Sequence, residues 1–221
     1  MIVAATADPL PWAEVDTPLP PSPDVEAEVR ALAAAARWDD ATAATLRAYG
    51  DELAEYLAAV ARSDTDGGDA FAQCAIDVWR GLPGFRWEAS LRTWCYRLAR
   101  HALGRVRRDP ARRRNQPLPS QQLGELAAQI QTRTADHLRT AMKDRVRELR
   151  LRLSPEDQTI LILRVDRDLA WREIATILVD EGEALTEPEL VRRAATLRKR
   201  FERIKDELRA LAKAEGLGSR D

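Results

Sequence analysis

Apolar residues recur three or four positions apart along most of this chain, and no stretch shows the strict alternation of a half-buried strand. Asp24 is placed to cap a helix running through Trp38. A second helix is expected over 41–62, where Leu46, Tyr49, Leu53, Leu57 and Val60 fall on one side. The run from Ser63 to Gly68 reads as a breaker, with Asp69 capping a helix to Arg80 that carries Phe71, Ile76 and Trp79. Gly81-Leu82-Pro83-Gly84 ends it, and Ser90 caps a further helix over 90–108. Residues 110–132 read as a linker, basic at its start and Gln-rich at its end. Helical periodicity resumes near Thr134 and runs to Leu153. Ser154 then caps a helix with Pro155 at its first position, where a missing N–H costs nothing. Segments 155–165, 170–179 and 188–213 complete the pattern, which is all-α, in two helical domains joined by a flexible linker.

Charge changes this picture more than composition does. The chain has 221 residues, 45% of them hydrophobic, enough for one or two modest cores, and a formal net charge of only −1. That balance conceals segregation. Residues 1–70 hold fourteen acids and four arginines, whereas Arg86 to Arg114 hold ten arginines against Glu88 and Asp109. Between Glu189 and Lys213 nine cations stand against four acids. Two basic patches behind an acidic front suit an anionic partner. The first 23 residues, with six prolines, read as a disordered extension. Cys74 and Cys95 are too few and too far apart for a metal cluster or redox pair and read as small buried hydrophobes. No apolar run approaches the ~18 residues of a membrane span, and no signal peptide is visible, so a cytoplasmic location without membrane insertion is expected.

The 90–108 segment places Leu91, Trp94, Cys95, Leu98, Ala102 and Val106 on one face and Arg92, Arg97, Arg100, Arg107 and Arg108 on the rest. An ordinary solvated helix intersperses acids with its arginines. Their local absence points to phosphate contact. The preceding loop, Gly84-Phe85-Arg86-Trp87-Glu88, offers planar groups on which an unpaired base can stack, although Phe85 suits the core and Trp87 suits either role. Downstream, Asp166-Arg167-Asp168 turns between a buried helix and Leu169–Ala175, the pattern of a helix-turn-helix. The last helix sets Leu190, Ala194, Leu197, Phe201, Ile204, Leu208 and Leu211 on one stripe, with Arg192, Thr196, Lys199 and Arg203 opposite. Such a polar stripe fits a major groove; docking on another helix is the bland alternative.

These residues resemble a family. Tyr49-Gly50 through Leu57, Asp69 to Trp79 and Phe85-Arg86 through Arg100 are similar to region 2 of the extracytoplasmic-function (ECF) sigma factors of bacterial RNA polymerase. Leu153-Ser154-Pro155-Glu156-Asp157-Gln158 through Ile174-Ala175, and Thr196 through Phe201, resemble region 4. The resemblance implies a promoter-specificity factor divided as follows: an extension at 1–23, region 2 at 24–108, a linker at 109–133, region 4 at 134–213 and a tail at 214–221. It implies core polymerase as partner, through the β′ clamp helices and β flap, along with promoter DNA and, as often in the family, an anti-sigma factor. Asp69, Gln73, Asp77 and Trp79 would face polymerase. Arg86, Trp87, Glu88, Ser90, Arg92, Arg97, Arg100, Arg107 and Arg108 would bind the minus-ten element, the loop holding a flipped base. Arg192, Thr196, Arg198, Lys199, Arg200 and Arg203 would bind the minus-thirty-five element. No cofactor, metal or catalytic residue is implied.

Three departures stand out. Ala72 and Gln73 occupy positions where the family often has Gln-Glu. The helix-turn-helix turn is longer by about a dozen residues, with Val179 to Leu185 preceding a cap at Thr186. The acidic proline-rich extension is additional. Two other readings compete: a stand-alone helix-turn-helix regulator, and an enzyme. The only histidines, His101 and His137, lack the companions that catalysis needs.

Overall fold

A computed structural model describes residues 23–108, 120–141 and 145–215, the side chains of 136–147 apart. The expectations for residues 1–22, for 109–119 and for the end of the tail lie outside the described residues. Those described form helices without strands: α1 (Pro23–Ala34), α2 (Trp38–Ala61), α3 (Asp64–Gly81), α4 (Leu91–Arg108), α5 (Gln121–Ala141), α6 (Arg145–Arg152), α7 (Pro155–Leu161), α8 (Trp171–Ile177) and α9 (Glu187–Ala214).

The first lobe is built around α2, which is buried along most of its length and packs against α1, α3, α4 and α5. Leu46, Leu53, Tyr56 and Leu57 of α2 meet Phe71 and Cys74 of α3 and Leu91, Cys95 and Tyr96 of α4 in one core. Tyr56 and Tyr96 sit edge to face at 5.4 Å, a favoured aromatic geometry. Both thiols are buried, and loss of solvent pushes both well above the usual range.

Besides the helix expected from an Asp24 cap through Trp38, which instead begins at Pro23 and ends at Ala34 so that Trp38 opens α2, two expectations change here. The Ser63–Gly68 run does not break the chain for long: α3 begins at Asp64 and passes through both glycines. Arg62, in the left-handed region at φ 59°, ends α2, and Ser63 caps α3 by accepting a hydrogen bond from Asp66 N at 3.3 Å. Ser63, rather than Asp69, is therefore the cap. Glycine serves close approach: a Cβ at Gly67 would lie 3.0 Å from the Ala58 backbone. The second change concerns the linker. Residues 121–133, expected to be loose, belong to α5, which lies on α2 and α3. Leu123, Ala127, Ile130 and Thr134 are buried at helical spacing, and Ile130 fills the space above Gly50. The glutamines flanking these positions hid the stripe.

The second lobe comprises α6 to α9. Ser154 caps α7, accepting from Asp157 N at 3.1 Å, with Pro155 at the first position as expected. The chain widens into a π-turn over Ile162–Asp166 before α8. Leu197, Phe201, Ile204 and Leu208 of α9 are buried on that frame, and Trp171 meets Phe201 edge to face at 5.3 Å.

Candidate nucleic-acid interface

The loop before α4 is held from below and open above. Phe85 stacks on Trp94 at 4.6 Å, Trp87 tilts against Phe85 at 4.7 Å, and the Arg30 guanidinium lies 4.5 Å from the Trp87 ring. Trp87 adopts φ 60°, a conformation that costs a bulky residue energy and is kept here by its packing. Phe85 and Trp87 thus pack as a half-buried plug against the core. Arg86 and Glu88 are 80% and 72% exposed and pair with each other at 3.4 Å. Ser90 is a cap: its Oγ accepts from Thr93 N at 3.1 Å, and Glu26 of α1 accepts from Leu91 N.

The arginines of α4 are less free than their local sequence suggests, because acids arrive from distant segments. Arg92 makes a two-pronged ion pair with Glu52 at 2.7 and 2.8 Å and also donates to the Arg167 carbonyl. Burial would weaken its hold on its proton, but Glu52 more than offsets this and raises its pKa above the ordinary arginine value. Arg97 donates to the Glu183 carbonyl at 3.2 Å. Arg100 donates to the Val179 carbonyl and to Asp180 at 2.9 Å, and this pairing holds the Asp180 carboxyl below its usual range. Arg105 bridges Asp77 and Glu181. Burial lifts Asp77 above the usual carboxylate value, with Gln73 and Arg105 pulling the other way. Arg107 donates to the Val60 carbonyl, and Arg108, 72% exposed, lies 3.8 Å from Glu181. The inference from missing acids is accordingly corrected: partners exist, but they come from α2, α3 and the turn after α8.

This pairing accompanies direct contact between the lobes, chiefly α4 on α8 and α2 on α7. Tyr96, Ala99 and Leu103, on the side of α4 assigned to arginine, are buried as well. Glu173 of α8 accepts from Thr93 Oγ1 with one oxygen and caps α8 at Ala170 N with the other, both at 2.9 Å. Arg167 reaches Glu55 at 2.8 Å, and Gln158 reaches the Ala59 carbonyl. His101 meets the Val179 carbonyl at 2.9 Å. Burial lowers its pKa, the carbonyl opposes that, and Arg97 and Arg100 add to it.

Of the residues expected to face polymerase, Gln73 bonds to Asp77 at 2.9 Å, and Trp79 donates its indole N–H to Asp39 at 2.8 Å. These two and Asp77 thus sit in side-chain networks, Asp77 toward α4 and Trp79 toward α2, and Asp69 lies nearly three turns before Trp79 on the same helix.

On α9 the expected polar stripe is open. Arg192, Thr196, Arg198, Lys199 and Arg203 are exposed opposite the buried stripe. Arg200 is the exception: it ties α9 to the start of α7 through Asp157 at 2.6 Å and Glu156 at 3.0 Å, so its neighbours in sequence present the cations and it fastens the frame. Val191, 55% exposed, adds an apolar spot beside Arg192. Sequence reasoning missed Val191, Glu173, Arg105 and Arg193. A wheel of α9 would have placed Val191 outward, whereas Glu173 and Arg105 act across lobes and Arg193 reaches back to the Leu178 carbonyl, so none of the three carries a local signal.

The comparisons bear on this arrangement. A stretch of 133 residues, 60% of the chain, is 28% identical to the RNA polymerase sigma factor YlaC of Bacillus subtilis (strain 168), of which it covers 76%. No family model matches the chain, and no solved structure matches it at a significant level. The described residues are all helical, the Phe85–Arg100 block leads into one lobe's arginine helix, the other lobe carries an open cationic stripe, and together with that similarity these features support an extracytoplasmic-function sigma factor of bacterial RNA polymerase.

Proposed function

We propose that the chain directs core polymerase to promoters by reading the minus-thirty-five element with α9 and capturing the melted minus-ten strand with the Arg86–Glu88 loop and α4. The observation that carries the reading is α9: its apolar stripe is fastened to α7 and α8 while Arg192, Thr196, Lys199 and Arg203 face outward. A helix so presented can enter a major groove, cations on phosphates and Val191 against a thymine methyl. Arg86 and Glu88 offer a guanidinium and a carboxylate to an extruded base over the aromatic plug. No chemical step is needed, because melting costs a few kcal/mol and base capture offsets it. Two modules on one chain raise each other's effective concentration at a bipartite site.

The division into region 2 and region 4 belongs to this proposal, as do the α3 side chains as the polymerase face and a cytoplasmic site of action. No described helix is long and apolar enough to cross a membrane. The test is in vitro transcription with core polymerase on genomic fragments. The chain is expected to yield defined start sites, Lys199→Ala with Arg203→Ala to weaken upstream contact while leaving polymerase binding intact, and Arg86→Ala to reduce permanganate reactivity of melted thymines. Failure to associate with core enzyme refutes the reading.

A further inference from the structure

The long turn between α8 and α9 is an ordered acidic element. Glu183 N donates to the Asp180 carbonyl at 3.1 Å, Gly182 sits at φ 85° where glycine is favoured, and Asp180 N donates to the Glu183 carboxylate at 3.2 Å. This turn lies along α4. Arginines on successive turns of α4 meet acceptors of the 179–183 segment: Arg97 the Glu183 carbonyl, Arg100 the Val179 carbonyl and Asp180, Arg105 and Arg108 the Glu181 carboxylate. Arg193 of α9 holds the far side, donating to the Leu178 carbonyl at 2.6 Å and lying 3.6 Å from Glu183.

We propose that Asp180, Glu181 and Glu183 form an internal stand-in for a nucleic-acid backbone, a clasp that holds the two lobes together and covers Arg97, Arg100, Arg105 and Arg108 of α4 until an anionic ligand displaces it. The claim rests on the sigma-factor reading only for the identity of that ligand. The chemistry matches: carboxylates and carbonyls spaced along a helix satisfy guanidinium groups as phosphates do. The turn is also built to release. Asp180 and Glu181 are 73% and 53% exposed, so their ion pairs are screened and individually weak. Gln158 Oε1 and Arg167 Nε, buried where the lobes meet, find no hydrogen-bond partner among the described residues. Their lost hydration opposes closure, which leaves the clasp to hold it.

The experiment compares the full-length chain with its Asp180→Asn, Glu181→Gln, Glu183→Gln variant. A control variant carries Asp24→Asn, Glu28→Gln and Asp40→Asn, three exposed acids of the first lobe. Lobe separation is read by energy transfer between dyes on cysteines introduced at exposed Arg47 and Arg209. Affinity is read by anisotropy of a fluorescein-labelled single-stranded DNA oligomer without polymerase. The clasp variant is expected to widen the lobe separation and bind the oligomer about tenfold tighter, since apparent affinity scales with the population of open molecules. The control is expected to change affinity by less than about twofold. Unchanged separation, unchanged affinity or an equal gain in the control each overturns the proposal. Transcription assays with core enzyme report separately on the sigma reading: an opened, tighter-binding variant that yields no transcripts refutes that reading and supports the clasp.

Discussion

Arg92→Ala separates a structural arginine from a phosphate-binding one. Arg92 joins the start of α4 to Glu52 in the middle of α2 by two charge-assisted hydrogen bonds and adds a third bond, 3.0 Å long, to the Arg167 carbonyl of the other lobe. Both side chains of the ion pair are under a fifth exposed, at 18% and 19%. A fully buried pair broken on one side costs about 3–5 kcal/mol, and an exposed one about 0–1 kcal/mol. This pair lies nearer the buried limit but keeps some solvent, so alanine is expected to cost about 2–3 kcal/mol. For a chain of this size each kcal/mol moves the melting temperature by about 2–4 °C, which gives a fall of roughly 5–10 °C. Calorimetry on the purified chain measures it. A cycle with Glu52→Gln should return a coupling of about 1–2 kcal/mol. A melting temperature within about 1 °C of wild type, together with weakened DNA binding, would refute the structural assignment and return Arg92 to the phosphate contacts.

Gly67→Ala is expected to cost about 1–3 kcal/mol, because its new methyl meets the Ala58 backbone at 3.0 Å, whereas Gly104→Ala, with nothing within 4 Å, should stabilise α4 by about 0.5–1 kcal/mol; chemical denaturation of both compares a close crossing with open helix surface. Glu173→Ala should cost about 1–2 kcal/mol through loss of the α8 cap and of the bond from Thr93, and loosen α8 from α4 in hydrogen exchange; unchanged exchange at both helices would rule that out. The His101 ring, facing Arg97 and Arg100 of its own helix and Glu181 and the Val179 carbonyl of the turn, holds its proton more weakly folded than unfolded. The unfolded chain therefore takes up a proton first as pH falls. Stability from this group is complete above about 6.5 and declines as pH drops from there toward the folded value. Melting across pH 7.5 to 5.5 should show that decline, and His101→Gln should flatten it.

Local pattern determined much of this protein. Helical periodicity alone placed α2, α4, α7, α8 and α9, because one buried stripe per helix dictates a 3.6-residue repeat. Ser90 and Ser154 announced their helices because a cap acts within three residues of itself. The outward cations of α9 were legible too, since burial of Leu197, Phe201, Ile204 and Leu208 sends the opposite stripe to solvent. What the chain does with its first basic patch was not legible. Ten arginines against two local acids read as a surface waiting for phosphate, yet Glu52, Asp77, Asp180 and Glu181 reach Arg92, Arg100, Arg105 and Arg108 from up to some eighty residues away. Ion pairing depends on distance in space, and only the packing of α4 against α2, α3 and the turn after α8 brings those charges within reach. The same holds for α5, whose polar sequence conceals a buried stripe of Leu123, Ala127, Ile130 and Thr134 that becomes a helix where α2 and α3 offer it a groove.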